Sequence, residues 1–166
     1  MSIANALLSE LEHEAQTTRR VLERVPHAHL AWKPHPKSMS LVELSTHVAT
    51  IPSWGVPTLN QPELDLGGQN LNTPASSRAD LLARFDKNVA DTRAALADKT
   101  DAEMMVVWSL KTNGQKLFTM PRLAVWRGFV VNHLIHHRAQ LGVYLRLNDV
   151  PVPAMYGPSA DEAPNF

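Results

Sequence analysis

The chain carries eight histidines, and two of them, His133 and His137, have the spacing of metal ligands on a helix. At 3.6 residues per turn, the sequence predicts one stripe formed by Trp126, Val130, His133, His137, Leu141 and Tyr144. Two imidazoles at positions i and i+4 lie on consecutive turns and can share one metal ion, as they do in zinc proteases. The glutamate of the protease motif is absent between them.

His47 is a third candidate ligand, because it lies between Leu44 and Ile51 on the apolar face of another predicted helix. Three neutral imidazoles around one divalent transition metal leave positions open for water or substrate, which is typical of catalytic sites. Alternatively, His47 is a hydrogen-bonded core residue, since its spacing does not show that it reaches the other two. Packing explains the pair on the last helix less well, because burying two imidazoles one turn apart is costly. The predicted metal ligands are His47, His133 and His137.

Other polar residues near these ligands have less specific roles, and the sequence identifies no catalytic residue. Gln140 is predicted to turn inward and orient a ligand or substrate. His136 lies about 100° around the helix from its neighbour and is expected in a supporting or surface role. Glu43 is one turn before the histidine of its helix, but a helix cap explains it. The proline-rich tail is expected to form a wall of the pocket, with Tyr156, Asp161 and Glu162.

Composition excludes several classes of protein. The 166 residues fit a single domain, 1–166, with a sizeable core. The absence of cysteine excludes disulfides, thiolate metal sites and a cysteine nucleophile. Sixteen basic and sixteen acidic residues give a formal charge of zero, so no general attraction to nucleic acid or anionic membrane is expected. Without a signal peptide or a run of roughly 20 apolar residues, the protein is expected to be cytoplasmic.

Four helical patterns must position the candidate ligands, at about 3–25, 40–51, 76–96 and 121–147. The second begins with Ser40 and Glu43 at capping-box spacing. The segment 57–74, rich in glycine, proline, asparagine and glutamine, is predicted to be a long loop. Asn113 and Gly114 between two alternating runs predict a β-hairpin. The predicted fold class is all-α, with this short hairpin before the last helix.

The last predicted helix has a second stripe of small and apolar residues opposite its histidines: Ala124, Gly128, Val131, Ile135 and Gly142. A helix that is apolar on both sides should be buried on both sides. Either another helix of the same chain or a partner helix in a homodimer can cover this stripe.

Six motifs follow one another along nearly the whole chain. They are W-K-P (32–34), S-M-S-L-x-E-L-x-x-H (38–47), M-P-R (120–122), N-H-L-I-H-H-R-x-Q-L (132–141), Y-L-R-L-N-D-x-P-V-P (144–153) and Y-G-P-S-A-D-E (156–162). Their order and spacing resemble the DinB-like (YfiT-related) family of bacterial proteins, which shares only a name with a DNA polymerase. One departure is Ala139, at a place where that family often has glycine.

The resemblance implies an up-down four-helix bundle, a bound nickel or zinc ion and a homodimer. It places the family's metal triad on His47, His133 and His137. Relatives in this family use low-molecular-weight thiols such as bacillithiol or mycothiol in transferase and isomerase reactions. Many members of the family have no assigned activity, so the resemblance implies the metal more firmly than the reaction, and a low-molecular-weight thiol is the cosubstrate that these relatives suggest.

Two functions from different classes fit these predictions. The first is a metal-dependent enzyme acting on a small molecule, either a thiol-dependent transferase or a hydrolase, in which the metal activates a thiol or water. The second is a non-catalytic metal-binding protein of the stress response. A weaker third is a module that binds a partner through the segment 57–74. Three ligands favour the enzyme, because a structural zinc usually has four.

Overall fold

The computed structural model describes residues 1–68 and 73–163. Seven helices lie in these ranges: α1 (Ile3–Leu22), α2 (Leu41–Thr50), α3 (Gly55–Asn60), α4 (Arg78–Ala97), α5 (Asp101–Met105), α6 (Arg122–Val125) and α7 (Asn132–Leu147). Short 3₁₀ turns occur at His27–His29 and Ile51–Trp54, and a π-helical segment, Trp126–Val131, joins α6 to α7. The predicted last helix is thus confirmed as one helical stretch over 122–147.

The four long helices surround a common core. Both α1 and α2 pack against α4 and α7, and apolar side chains from all four meet between them, including Leu22, Leu44, Phe85 and Leu141. Ser2, Ser40 and Ser77 cap the N-termini of α1, α2 and α4 by accepting backbone N–H bonds. The mostly helical architecture is confirmed, whereas the up-and-down order of the helices stays a prediction. None of the described helices is both long and apolar enough to cross a membrane.

A three-stranded sheet packs against α3 and α6, with strands β1 (Glu63–Asp65), β2 (Val107–Thr112) and β3 (Gln115–Pro121) in that order. The antiparallel pair of β2 and β3 confirms the predicted hairpin. Its turn has φ values of 49° at Asn113 and 78° at Gly114, the left-handed conformations that an Asn-Gly turn of this kind requires.

The prediction of a long loop over 57–74 is wrong in its first half. Helix α3 and strand β1 occupy this part, and β1 pairs in parallel with β2, Glu63 opposite Ser109. The carboxylate of Asp65 accepts the backbone N–H groups of Gly67 (2.8 Å) and Gly114 (2.7 Å), which ties β1 to the hairpin turn. Residues 69–72 of the predicted loop lie outside the described residues.

Candidate metal centre

Helix α2 positions His47. Ser40 and Glu43 form the predicted capping box, in which the Ser40 backbone N–H donates to the Glu43 carboxylate (2.6 Å). This backbone bond is the main reason that the pKa of Glu43 lies below its usual value. Leu44 and Val48 are buried on one face of this helix, and His47 beside them is only 7% exposed. Glu43 is therefore held in the cap, as the sequence indicates.

The π-helical segment Trp126–Val131 sets the register of α7. Its wider turn buries Val130 and Val131 together, and the buried stripe that follows is formed by Leu134, Arg138, Leu141 and Leu145. His133 and His137 lie along the edge of this stripe and are half-buried. The buried stripe is thus displaced by about one residue from the predicted one. His133 and His137 lie at its edge and not on the core face, so both rings are only half-buried.

The three predicted ligands meet although His47 and His133 are 86 residues apart. Each of His47, His133 and His137 has one ring nitrogen that lies within 4.8 Å of a ring nitrogen of the other two. The Nε2 atoms of His47 and His133 are 3.0 Å apart. Two nitrogens that each bind a metal at roughly 2.0–2.1 Å also lie about 3 Å apart. The donor set fits a divalent transition metal, because clustered imidazoles suit zinc, nickel or copper better than magnesium or calcium.

Burial keeps these imidazoles in the form that binds metal. The pKa of His133 falls to about 4, mainly because burial penalises its charged form, with smaller contributions from the neighbouring His137, His47 and His136. Burial also lowers the pKa of His137, although its bond to Gln140 opposes this shift. At neutral pH both rings are therefore neutral, and each keeps a nitrogen lone pair for a ligand bond.

Gln140 orients His137. Its side-chain oxygen lies 2.7 Å from Nδ1 of His137, and because an amide oxygen only accepts, Nδ1 carries the hydrogen. The lone pair of the neutral ring is then on Nε2. Gln140 itself is exposed rather than turned inward, so its predicted direction is wrong, whereas a role in orienting the ligand fits the bond. His136 is exposed beside this pair and is not part of the three-histidine cluster.

Trp54 is a site residue that the sequence does not predict. Its ring meets the rings of His47 and His133 edge-on, with centroids 5.6 Å and 5.1 Å away. Trp54 and His133 also line a cavity of about 250 Å³, together with Thr58, Leu64, Leu66, Trp108, Leu110, Phe118, Val125 and Phe129. The only signal in the sequence was a tryptophan shortly after His47. The triad therefore lies beside an apolar cavity.

The described part of the tail, which ends at residue 163, does not line this cavity, which corrects the predicted pocket wall. Asp161 instead pairs with Arg146 and accepts the backbone N–H of Val152 (2.8 Å). The carboxylate of Glu162 pairs with Arg20 and with Arg24 (2.8 Å). Both acidic residues are therefore engaged in holding the tail against the bundle rather than placed as bases at the triad.

A buried ion pair, which the sequence does not predict, joins α7 to α1. Arg138 is 1% exposed and its guanidinium donates to the Glu14 carboxylate at 2.6 Å. It also donates to the hydroxyls of Thr18 (3.2 Å) and Tyr156 (2.7 Å). The Tyr156 hydroxyl in turn donates to Glu14 (2.8 Å). This network joins α1, α7 and the tail through Arg138, the residue that follows His137 in the sequence.

Comparisons with known proteins agree with this architecture. A model of the DinB family matches residues 1–164. The structure of a DinB-like protein from Bacillus cereus has a TM-score of 0.71 at 20% identity, covering 93% of this chain and 98% of that chain. YjoA, a DinB-like protein from Bacillus subtilis, has a TM-score of 0.69 at 21% identity, covering 89% of this chain and 96% of that chain. None of the curated proteins matches. Because the family match spans nearly every residue, the chain belongs to the DinB family.

Proposed function

We propose that this protein is a metal-dependent enzyme in which His47, His133 and His137 hold one nickel or zinc ion. The reaction class is a thiol-dependent transfer or a hydrolysis. The observation that carries the proposal is the convergence of three imidazoles, from α2 and α7, whose ligand atoms lie within 4.8 Å. Three protein ligands leave room for an exchangeable one, which supports a catalytic rather than a purely structural site.

The residues around the triad support this role. Gln140 engages Nδ1 of His137 and so leaves the lone pair of this ring on Nε2. Trp54 packs edge-on against the rings of His47 and His133 and gives the triad an apolar neighbour. A metal held here lowers the pKa of a coordinated thiol or water and so supplies a nucleophile. The chain has no cysteine of its own, so a thiol nucleophile must come from a small cosubstrate.

Metal content tests the ligand assignment. The purified protein should carry about one transition metal per chain, and His133→Ala or His137→Ala should remove most of it. His136→Ala is the matched control, since it removes an exposed imidazole from the same helix. Elemental analysis of the three variants measures the effect. Full metal retention in both ligand variants would reject the triad.

A thiol titration tests the chemistry. Cobalt-substituted protein should develop a sulfur-to-metal charge-transfer band when bacillithiol or mycothiol is added, because metals of this softness favour thiolate ligands. His47→Ala should abolish the band in a folded protein. If no thiol changes the spectrum, and neither thiol transfer nor ester hydrolysis exceeds the metal-free control, a non-catalytic metal-binding role replaces the enzyme.

A further inference from the structure

We propose that the cavity beside His133 binds an uncharged aryl or short alkyl group of the molecule on which the protein acts. We call this cavity, with its ten lining residues from Trp54 to His133, the side cavity. The proposal deepens the proposed function, since it names the substrate class of the same site. It rests on that function only for the reaction, because the cavity exists independently of a metal.

The lining of the side cavity excludes charged groups. Nine of its ten residues are apolar, aromatic or threonine, and the tenth is His133, a member of the triad; none carries an acidic side chain, a lysine or an arginine. The hydroxyl of Thr58 is already used, since it donates to the backbone oxygen of Trp54 (2.8 Å). A carboxylate or phosphate placed here would lose its water without a cationic partner, which is costly.

The size of the side cavity suits one aromatic ring with a small substituent. Its volume is about 250 Å³, and an apolar cavity of roughly 150 Å³ is sufficient to bind benzene. The rings of Phe118 and Phe129 stack at one wall, with centroids 4.5 Å apart and planes 19° apart. Aromatic side chains pair favourably with an aryl group, either offset-stacked or edge to face.

The position of the side cavity connects it to the triad. His133 belongs to both, and its Nε2 lies 3.0 Å from Nε2 of His47. Trp54 lines the cavity and also contacts both imidazoles. A substrate whose apolar group fills the cavity therefore has its attached functional group next to the histidines, where the nucleophile would form.

Fluorine NMR of 4-fluorotoluene with metal-free protein tests the cavity alone. Saturable binding is expected for the wild type. Leu110→Asp places a carboxylate in the lining and should weaken binding at least tenfold. Leu117→Asp is the matched control, because Leu117 lies on the same hairpin but is 52% exposed and outside the lining. No saturable binding, or equal binding by both variants, would overturn the proposal.

A homologous series of thiols tests the cavity without any substitution. With cobalt-loaded protein, affinity should rise about fourfold per methylene from ethanethiol to butanethiol, the gain expected when a methylene is buried. An affinity that does not depend on chain length overturns the proposal. If the protein binds 4-fluorotoluene but no metal, the proposed function fails and the cavity assignment stands. If it binds metal but neither 4-fluorotoluene nor the thiol series behaves as stated, the cavity assignment fails and the proposed function stands.

Discussion

At the scale of single residues, the three histidines of the triad are held in different ways. His47 is buried on α2 and contacts the Trp54 ring. His133 is half-buried, and its pKa is lowered mainly by burial. His137 is fixed by a hydrogen bond to an exposed amide on the next turn. The three positions therefore respond differently to substitution and to pH.

Gln140→Leu should weaken metal binding about tenfold, because residues that orient a ligating histidine contribute roughly 10- to 100-fold to affinity. Gln140→Glu retains an acceptor for the Nδ1 hydrogen of His137 and should keep the wild-type affinity or exceed it. A competition titration with a chromophoric chelator measures both variants. Equal losses in the two variants would show that the bond does not orient the ring.

The lowered pKa of His133 makes the stability of the metal-free protein depend on pH. Its pKa is about 4 in the folded chain and about 6.5 in an unfolded one. Between these values the unfolded chain binds more protons, so the free energy of unfolding falls as the pH is lowered through this window. Urea unfolding from pH 6.5 to 4.5 should show this decrease, and His133→Leu should reduce its slope. An unchanged slope in the variant would contradict the assignment.

At the scale of helices, one edge of α7 contributes histidines to the triad and another edge packs in the core. His133 and His137 lie on its half-buried edge, while Arg138 follows at once on the buried stripe. Arg138 and Glu14 connect α7 to α1, and Tyr156 adds the tail to the same network. The ion pair therefore supports the helix that carries two of the three candidate ligands.

Arg138→Met should destabilise the protein by about 3–5 kcal/mol, because it leaves the buried Glu14 carboxylate without its cationic partner. Replacing both residues, with Glu14→Leu added, should recover much of the loss. The control is Arg93→Met, which breaks the exposed pair with Glu12 and should cost at most about 1 kcal/mol. Denaturant unfolding measures all three. A loss in Arg138→Met as small as in the control would contradict the prediction.

At the scale of the whole molecule, the chain itself covers part of the stripe on which a homodimer was predicted. Val131 is buried in the core, and Gly142 is buried under the tail, where an added Cβ would lie 3.3 Å from Met155. Ala124 and Gly128 are exposed. The homodimer stays a prediction, and only the end of the stripe near α6 remains open to a partner.

Gly128→Lys should convert a dimer that uses this surface into a monomer. A Cβ added at Gly128 meets no atom within 4 Å beyond its own stretch of helix, so the fold itself tolerates a side chain there. Gly157→Lys is an equally unobstructed control in the tail and should remain dimeric. Light scattering at micromolar concentration gives both masses. A wild-type monomer would reject the homodimer, and a dimeric Gly128→Lys variant would reject this surface.

The sequence by itself determined the features that depend on neighbouring residues. Ser40 and Glu43 predict the start of α2, Asn113 and Gly114 predict the hairpin turn, and both are present. The last helix, with its pair of histidines at i and i+4, was predictable for the same reason. Caps, tight turns and helical periodicity act over a few residues, so their signals are local.

Only the tertiary structure decided the features that join distant parts of the chain. His47 meets His133 because α2 packs against α7, and no local pattern encodes that contact. Strand β1 has three residues, too few for a periodic signal, and is defined by its pairing with β2. The π-helical segment Trp126–Val131 shifts the register of α7, so that Arg138 is buried. Extrapolation at 3.6 residues per turn could not foresee this shift, because a π turn is wider than an α turn.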